Sequence, residues 1–168
     1  MTRLFVWYLG ALSVLALGGV GPVRYRGVYA NTDYGFRVTI PSGNTGVGAA
    51  ENAPNHGFVI RLSDTAQISV SASYDAGIDS ENEDWKQQML RVHGRPTENL
   101  GGLPAWRLLS YDETRRKHVE LITGRRNTGT DVPIIYSISL ETPSVPDETS
   151  VKVFDAIRRS FRLEQIAK

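Results

Sequence analysis

The chain has 168 residues, 40% of them hydrophobic and 22% charged, and its 19 basic and 18 acidic side chains leave a formal net charge of +1. That length holds one domain with at most a short appendage, and the composition is that of a globular chain rather than a disordered one. There is no cysteine, which excludes disulfides, thiolate metal sites, a cysteine nucleophile and an N-terminal lipid-modified cysteine.

Residues 1–30 read as an export signal or N-terminal anchor. Thr2-Arg3 supplies a short positive region, and Leu4 to Gly21 is uncharged and mostly apolar. Val28-Tyr29-Ala30 then places small residues at the minus-three and minus-one positions of a signal-peptidase site, and Ala16-Leu17-Gly18 offers an earlier cut. The alternative is an uncleaved anchor, since residues 4–21 are just long enough to span a bilayer. Four glycines in that stretch, with Arg24 and Arg26 close behind, favour cleavage. Either way the domain, residues 31–168, is expected outside the cytoplasm, secreted or periplasmic. Removing residues 1–30 takes three arginines and no acid, leaving 16 basic residues against 18 acidic ones. Strong attraction to nucleic acid or anionic lipid is not expected of such a chain.

The folded part opens on Tyr34-Gly35-Phe36-Arg37-Val38-Thr39-Ile40-Pro41, where Phe36, Val38 and Ile40 alternate with polar residues at the period of a half-buried strand. Residues 42–56, rich in Pro, Gly and Asn, read as a long surface loop. A hairpin follows: Phe58, Ile60 and Leu62 alternate on one strand, and Ile68, Val70, Ala72 and Tyr74 on the next. The period then changes. Ser80-Glu81-Asn82-Glu83 has the spacing of a capping box, and Trp85, Met89 and Val92 fall on one face of a helix ending near His93-Gly94. Leu100-Gly101-Gly102-Leu103-Pro104 is a turn into a strand over Ala105–Tyr111, with a return over Lys117–Thr123. After a turn over Gly124–Asp131, Ile134, Tyr136, Ile138 and Leu140 face inward on another strand. The last element is a helix beginning after Ser144-Val145-Pro146-Asp147, with an apolar stripe of Val151, Phe154, Ile157 and Phe161.

Three or four strands, a helix, three or four strands and a second helix make an α+β domain. Its sheet is expected to be mainly antiparallel, of six to seven strands, with two main helices covering its apolar face.

Asn31-x-x-Tyr34-Gly35-Phe36 with Ile40-Pro41 resembles the opening of PsbP-like domains. So does Leu100-Gly101-Gly102-Leu103-Pro104-Ala105 leading into a strand, and so does the apolar strand Ile134–Leu140 before a helix closing on Ser160-Phe161-Arg162. The resemblance covers roughly residues 29–163 by order of elements. The fold is shared by the extrinsic photosystem II protein and a Ran-binding import factor. It implies a PsbP-like sandwich with helices on both sheet faces, and a binding or assembly platform rather than an enzyme. No metal-ligand or partner-contact position carries over to a residue of this chain, and fold does not transfer function.

The chemistry-bearing residues form no recognisable motif. His56, His93 and His118 lie in a loop, at a helix end and in a charged strand, without metal-ligand spacing. Asp75, Asp79, Glu81, Glu83 and Asp84 form an acidic cluster that lacks the order of a calcium loop and suits a helix N-terminus equally well. Arg115, Arg116, Lys117, Arg125 and Arg126 fall at the two ends of one hairpin, as turn charges or as a dock for a phosphate or acidic partner. No nucleophile elbow or phosphate-binding glycine motif is present. No catalytic residue, metal ligand or cofactor is therefore assigned.

Arg37, Thr39, Arg61, Gln67, Ser69, Ser71, Ser73, Ser137 and Ser139 are expected to share one polar sheet face. That face is either plain solvated surface or a platform covered by a partner or by the 42–56 loop. The expected function is an exported, non-enzymatic protein-binding or assembly factor. The partner is expected to be another protein, with no nucleic acid and with membrane association only through an uncleaved N-terminus. The alternatives are an exported small-ligand or lipid carrier and, third, a hydrolase whose residues meet only in space.

Overall fold

In a computed structural model the described residues are 21–50, 53–74, 85–126 and 132–166. The expected capping box and the acidic cluster lie outside them.

The chain is α+β, with eleven strands and two helices among the described residues. The main sheet is antiparallel and eight-stranded, in the order β1-β4-β5-β6-β10-β9-β8-β7. Its strands are β1 (Pro22–Tyr25), β4 (Gly46–Ala50), β5 (Gly57–Arg61), β6 (Gln67–Tyr74), β7 (Glu98–Leu100), β8 (Leu103–Tyr111), β9 (Lys117–Arg126) and β10 (Pro133–Thr142). A second sheet of three strands, in the order β11-β3-β2, is built from β2 (Gly27–Asn31), β3 (Phe36–Ile40) and β11 (Arg162–Leu163). The helices are α1 (Trp85–His93) and α2 (Glu148–Ser160).

The small sheet and α2 cover one face of the main sheet. Three fully buried rings meet there: Phe36 of β3 stacks on Phe161 at 5.3 Å, and both meet Tyr136 of β10 edge-on at 5.9 Å. Around them pack Ile60, Ile68, Val70, Leu121, Ile134, Ile138 and Ile157, all essentially inaccessible. Truncating one such ring to alanine costs about 3–5 kcal/mol, because lost transfer energy and a residual cavity add together.

The opposite face runs in rows set by the strand registers. One row is Arg61, Gln67, Glu141, His118 and Ser110; the next is Val59, Ser69, Ser139, Glu120 and Leu108; a third is Ser71, Ser137, Ile122 and Trp106. Polarity falls across these rows, and α1 sits on the apolar end. Trp85 of α1 meets Trp106 edge-on at 5.4 Å, and a Cβ on Gly124 would lie 2.9 Å from the Trp85 ring.

Several expectations are corrected. The two helices lie on opposite faces, not on one. The alternation hid this because Ile122 and Ile135, half-buried beneath α1, occupy the positions where neighbouring strands carry serine. The main sheet has eight strands rather than six or seven, and Phe36–Ile40 belongs to the second sheet. Arg37 and Thr39 are therefore absent from the polar face: Arg37 pairs with Glu164 at 3.1 Å, and the Thr39 amide donates to the Ser160 hydroxyl at 3.0 Å. Residues 42–56 are not one loop, since β4 joins the sheet between β1 and β5. Val92 is 61% exposed and Val151 37%, so neither completes its helical stripe. Apart from these corrections, residues 22–30 of the expected leader segment form β1 and, together with Asn31, β2.

Helix ends follow their local chemistry. Asp147 caps α2, accepting from the Ser150 amide at 2.8 Å, and Gly94 ends α1 at φ +71°, its amide donating to the Leu90 carbonyl at 3.0 Å.

Candidate functional site

The polar face was the first candidate, and its side chains largely satisfy one another. Ser71 and Ser137 are hydrogen-bonded at 3.0 Å, the Gln67 amide donates to Glu141 Oε2 at 2.9 Å, and Arg116 pairs with Glu141 at 3.0 Å. Lateral pairing of this kind leaves few groups aimed outward, which is the pattern of a solvated sheet face.

The basic cluster is dispersed. Arg116 is held by Glu141 and by the Thr65 carbonyl, to which it donates at 2.8 Å. Arg115 takes a positive φ of 62° at the hairpin turn, where Asp112 accepts from the Arg116 amide at 2.8 Å. That bond is the main reason the Asp112 carboxyl is held below its usual range. Arg125 points inward and donates to the carbonyls of Glu164, Tyr34 and Gly35 at 2.7, 3.3 and 3.2 Å. These bonds tie the chain after α2 to the turn before β3.

The histidines are also separate. His56 Nδ1 lies 2.8 Å from the Tyr34 hydroxyl and 3.1 Å from the Ala72 carbonyl. A carbonyl can only accept, so the tautomer that satisfies this contact carries its proton on Nδ1. His118 reaches Ser110 at 3.5 Å. His93 lies at the exposed end of α1. Among the described residues no three His, Asp or Glu side chains gather as metal ligands. Beside Tyr34, a polar network links the Tyr29 hydroxyl to Asn55 at 2.7 Å and to Asn31 at 3.0 Å. Burial pushes the hydroxyl pKa of both tyrosines upward.

The most open feature lies at the other side of the main sheet. β7 pairs with β8 only over Leu103–Ala105, so among the described residues Trp106–Tyr111 has β9 on one edge and no strand on the other. Six residues of strand present an edge about 20 Å long. Leu109 and Tyr111 are each 57% exposed along it. Between this edge and the end of α1 runs an open groove of about 230 Å³, lined by His93, Arg95, Thr97 and the stretch from Trp106 to Leu109. The Trp106 indole donates to the Gly94 carbonyl at 2.8 Å, fixing the groove floor to the helix end. Arg107 pairs with Glu98 at 3.4 Å, and Glu98 is shared with Arg158 at 2.7 Å. The groove thus sets Arg95 and Arg107 beside Trp106, Leu108 and Leu109 in a lining of mixed polarity. Its volume is below the roughly 300–1,000 Å³ of sites that enclose small organic ligands.

Sequence reasoning missed this edge. The available signal was Ala105-Trp106-Arg107-Leu108-Leu109-Ser110-Tyr111, a strand apolar at positions of both parities although it lies next to the sheet margin. Strand order is not written in that pattern.

No family model matches the chain, and no curated protein matches it. Among solved structures, a protein from Bacteroides thetaiotaomicron VPI-5482 is similar at 16% identity and a TM-score of 0.49, over 83% of this chain and 49% of the other. The chain thus spans about half the length of that protein. A likeness of this size says nothing about function. No helix among the described residues is long and apolar enough to cross a membrane.

Proposed function

We propose that this is an exported, non-enzymatic binding or assembly factor with a PsbP-like arrangement, and that it takes up an extended, acidic segment of a partner protein along the outer edge of β8. The observation that carries the reading is the uncovered edge Trp106–Tyr111 beside a groove bearing Arg95 and Arg107. An unpaired strand edge offers a ladder of backbone donors and acceptors, which an extended peptide completes while alternate side chains enter the groove. Natural sheets blunt such edges with charge, bulges or a covering element. Here Arg107 supplies a charge near one end of the edge, while Leu109 and Tyr111 leave apolar side chains exposed along the rest. The cations favour acidic over basic peptides and speed their encounter more than they deepen affinity. The helices on opposite faces of an antiparallel sheet support the PsbP-like arrangement.

The test is site-specific photo-cross-linking in intact cells, with the reactive side chain at Leu109 or at Ser139 on the polar face. A discrete adduct from position 109 alone is the expected result. Its partner segment should then bind the purified protein, and Arg95→Glu with Arg107→Glu should weaken that binding. Adducts from position 139 alone would move the contact to the polar face. A segment that is basic, or binding indifferent to both charge reversals, would refute the acidic-peptide assignment.

A further inference from the structure

We infer that the export leader ends before Pro22, with the peptide bond Gly18–Gly19 as the scissile one, and that residues 22–31 belong to the mature domain. The placement rests on the export reading above. β1 pairs with β4 through Pro22↔Ala50, Arg24↔Val47 and Tyr25↔Gly46. β2 pairs with β3 residue for residue from Gly27↔Ile40 to Asn31↔Phe36. Tyr29, the middle residue of the later recognition triplet, is 2% exposed. Its ring meets Tyr25 at 4.7 Å and Phe58 at 4.8 Å, both edge-on, and its hydroxyl donates to Asn55 while accepting from Asn31.

Ala16-Leu17-Gly18 and Val28-Tyr29-Ala30 both meet the small-residue rule of the peptidase. They differ in what the remaining chain can build. Hydrolysis after Ala30 would remove β1 and all of β2 except Asn31. β3 would then keep only β11, which reaches Arg37 and Phe36 alone. Phe36 and Phe58 would lose the ring packed between them, and the β4 edge would be stripped. Hydrolysis after Gly18 removes none of these contacts. It also falls directly behind the apolar run from Leu4 to Leu17, as leader cleavage requires, and leaves Arg24 and Arg26 in the domain. In either case water adds across one peptide bond, giving a new carboxylate on the leader and a new amine on the domain. With the earlier cut only Arg3 is lost, so the mature chain carries 18 basic and 18 acidic residues and is formally neutral.

The experiment is expression of the full-length chain in a secreting bacterial host, followed by intact mass and N-terminal sequencing. Loss of residues 1–18 and a chain starting at Gly19 is expected. Gly18→Tyr should accumulate precursor. Ala30→Tyr, at an exposed position of β2, should leave the mature N-terminus unchanged. A chain starting at Asn31, or a block by Ala30→Tyr, would overturn the placement and leave export standing. An uncut chain held in the membrane would overturn the placement as well, and an uncut cytoplasmic chain would overturn both the placement and the export reading.

Discussion

Arg125 lies over the ring of Tyr136, its guanidinium carbon 5.6 Å from the ring centroid. From there it forks to the backbone of Tyr34, Gly35 and Glu164. Tyr34 keeps the Tyr136 hydroxyl as a second donor, and Gly35 keeps the Glu164 amide. The Glu164 carbonyl has no other donor among those bonds. Arg125→Met should therefore destabilise the domain by about 2–3 kcal/mol, the scale of a hydrogen bond to a charged group. Arg125→Lys should recover only part of it, since an ammonium cannot present the planar fork. Urea unfolding of the three proteins measures both. A loss within about 0.5 kcal/mol for Met would mean that the chain after α2 is held by other contacts.

Burial, opposed by Arg125, pushes the Tyr136 hydroxyl up to about 12. In the unfolded chain a tyrosine releases its proton near pH ~10. Between these values the unfolded state loses a proton that the folded state keeps. The contribution is thus fully present below pH ~10 and is lost as pH rises toward the folded value. Tyr29 and Tyr34 are shifted the same way, chiefly by burial, and share the slope. Tyr136→Phe should remove part of the alkaline loss. It should also cost about 1 kcal/mol at neutral pH, because the 2.7 Å bond from Tyr136 to the Tyr34 carbonyl is gone. Unfolding curves against pH, with tyrosinate absorbance as a second readout, test this. Parallel pH profiles for the two proteins would contradict it.

Asp147 caps α2, and its bonds from the Ser150 side chain and amide hold its carboxyl below the usual range. A lowered folded pKa gives stability that is present above about pH 3.9 and disappears as pH falls through the folded value. Asp147→Ala should lower Tm at neutral pH, and the gap should close in acid. A gap that persists unchanged in acid would show that the carboxylate charge is irrelevant to the cap.

Gly57 opens β5 at φ +141°, and a Cβ there would lie 1.9 Å from the Val70 carbonyl oxygen. Backbone cannot step aside as a flexible side chain can. Gly57→Ala should cost about 3 kcal/mol or more. The comparison is Gly43→Ala, which shares a positive φ but meets nothing within 4 Å. Equal losses for the two would mean that strain in φ, not the clash, sets the cost.

Leu109 and Tyr111 are exposed on β8, so replacing both by glutamate should change stability by no more than about 0.5 kcal/mol per site. The same double variant should abolish partner capture at this edge, because charge on an open strand opposes added pairing. Loss of fold together with loss of binding would show instead that these side chains support the sheet.

The period of two made much of the core legible. Phe58 and Ile60, Ile68 to Ala72, and Ile134 to Leu140 alternate in sequence and are buried as expected. Local chemistry was equally readable at Asp147, Gly94 and the Gly101-Gly102 turn, where φ is +61° and +92°. These features depend on neighbours within a few residues. The candidate site was not readable in this way. Alternation marks a side chain as inward without naming its sheet, so Phe36 and Val38 were correctly inward but placed in the wrong layer. The small residues of Val28-Tyr29-Ala30 satisfy a peptidase rule and a strand equally, and the contacts of Tyr29 with Asn55 and Phe58 are visible only in the fold.

By itself, then, the sequence determined the α+β class, the inward residues of most strands, the end of α1 and the start of α2, because each follows from short-range periodicity and backbone bonding. Tertiary structure alone decided which strand lies at the margin, that α1 and α2 take opposite faces, and that among the described residues β8 keeps an open edge beside Arg95 and Arg107. Those outcomes depend on pairings between residues far apart in the chain, where the energy of packing one surface against another outweighs any local preference.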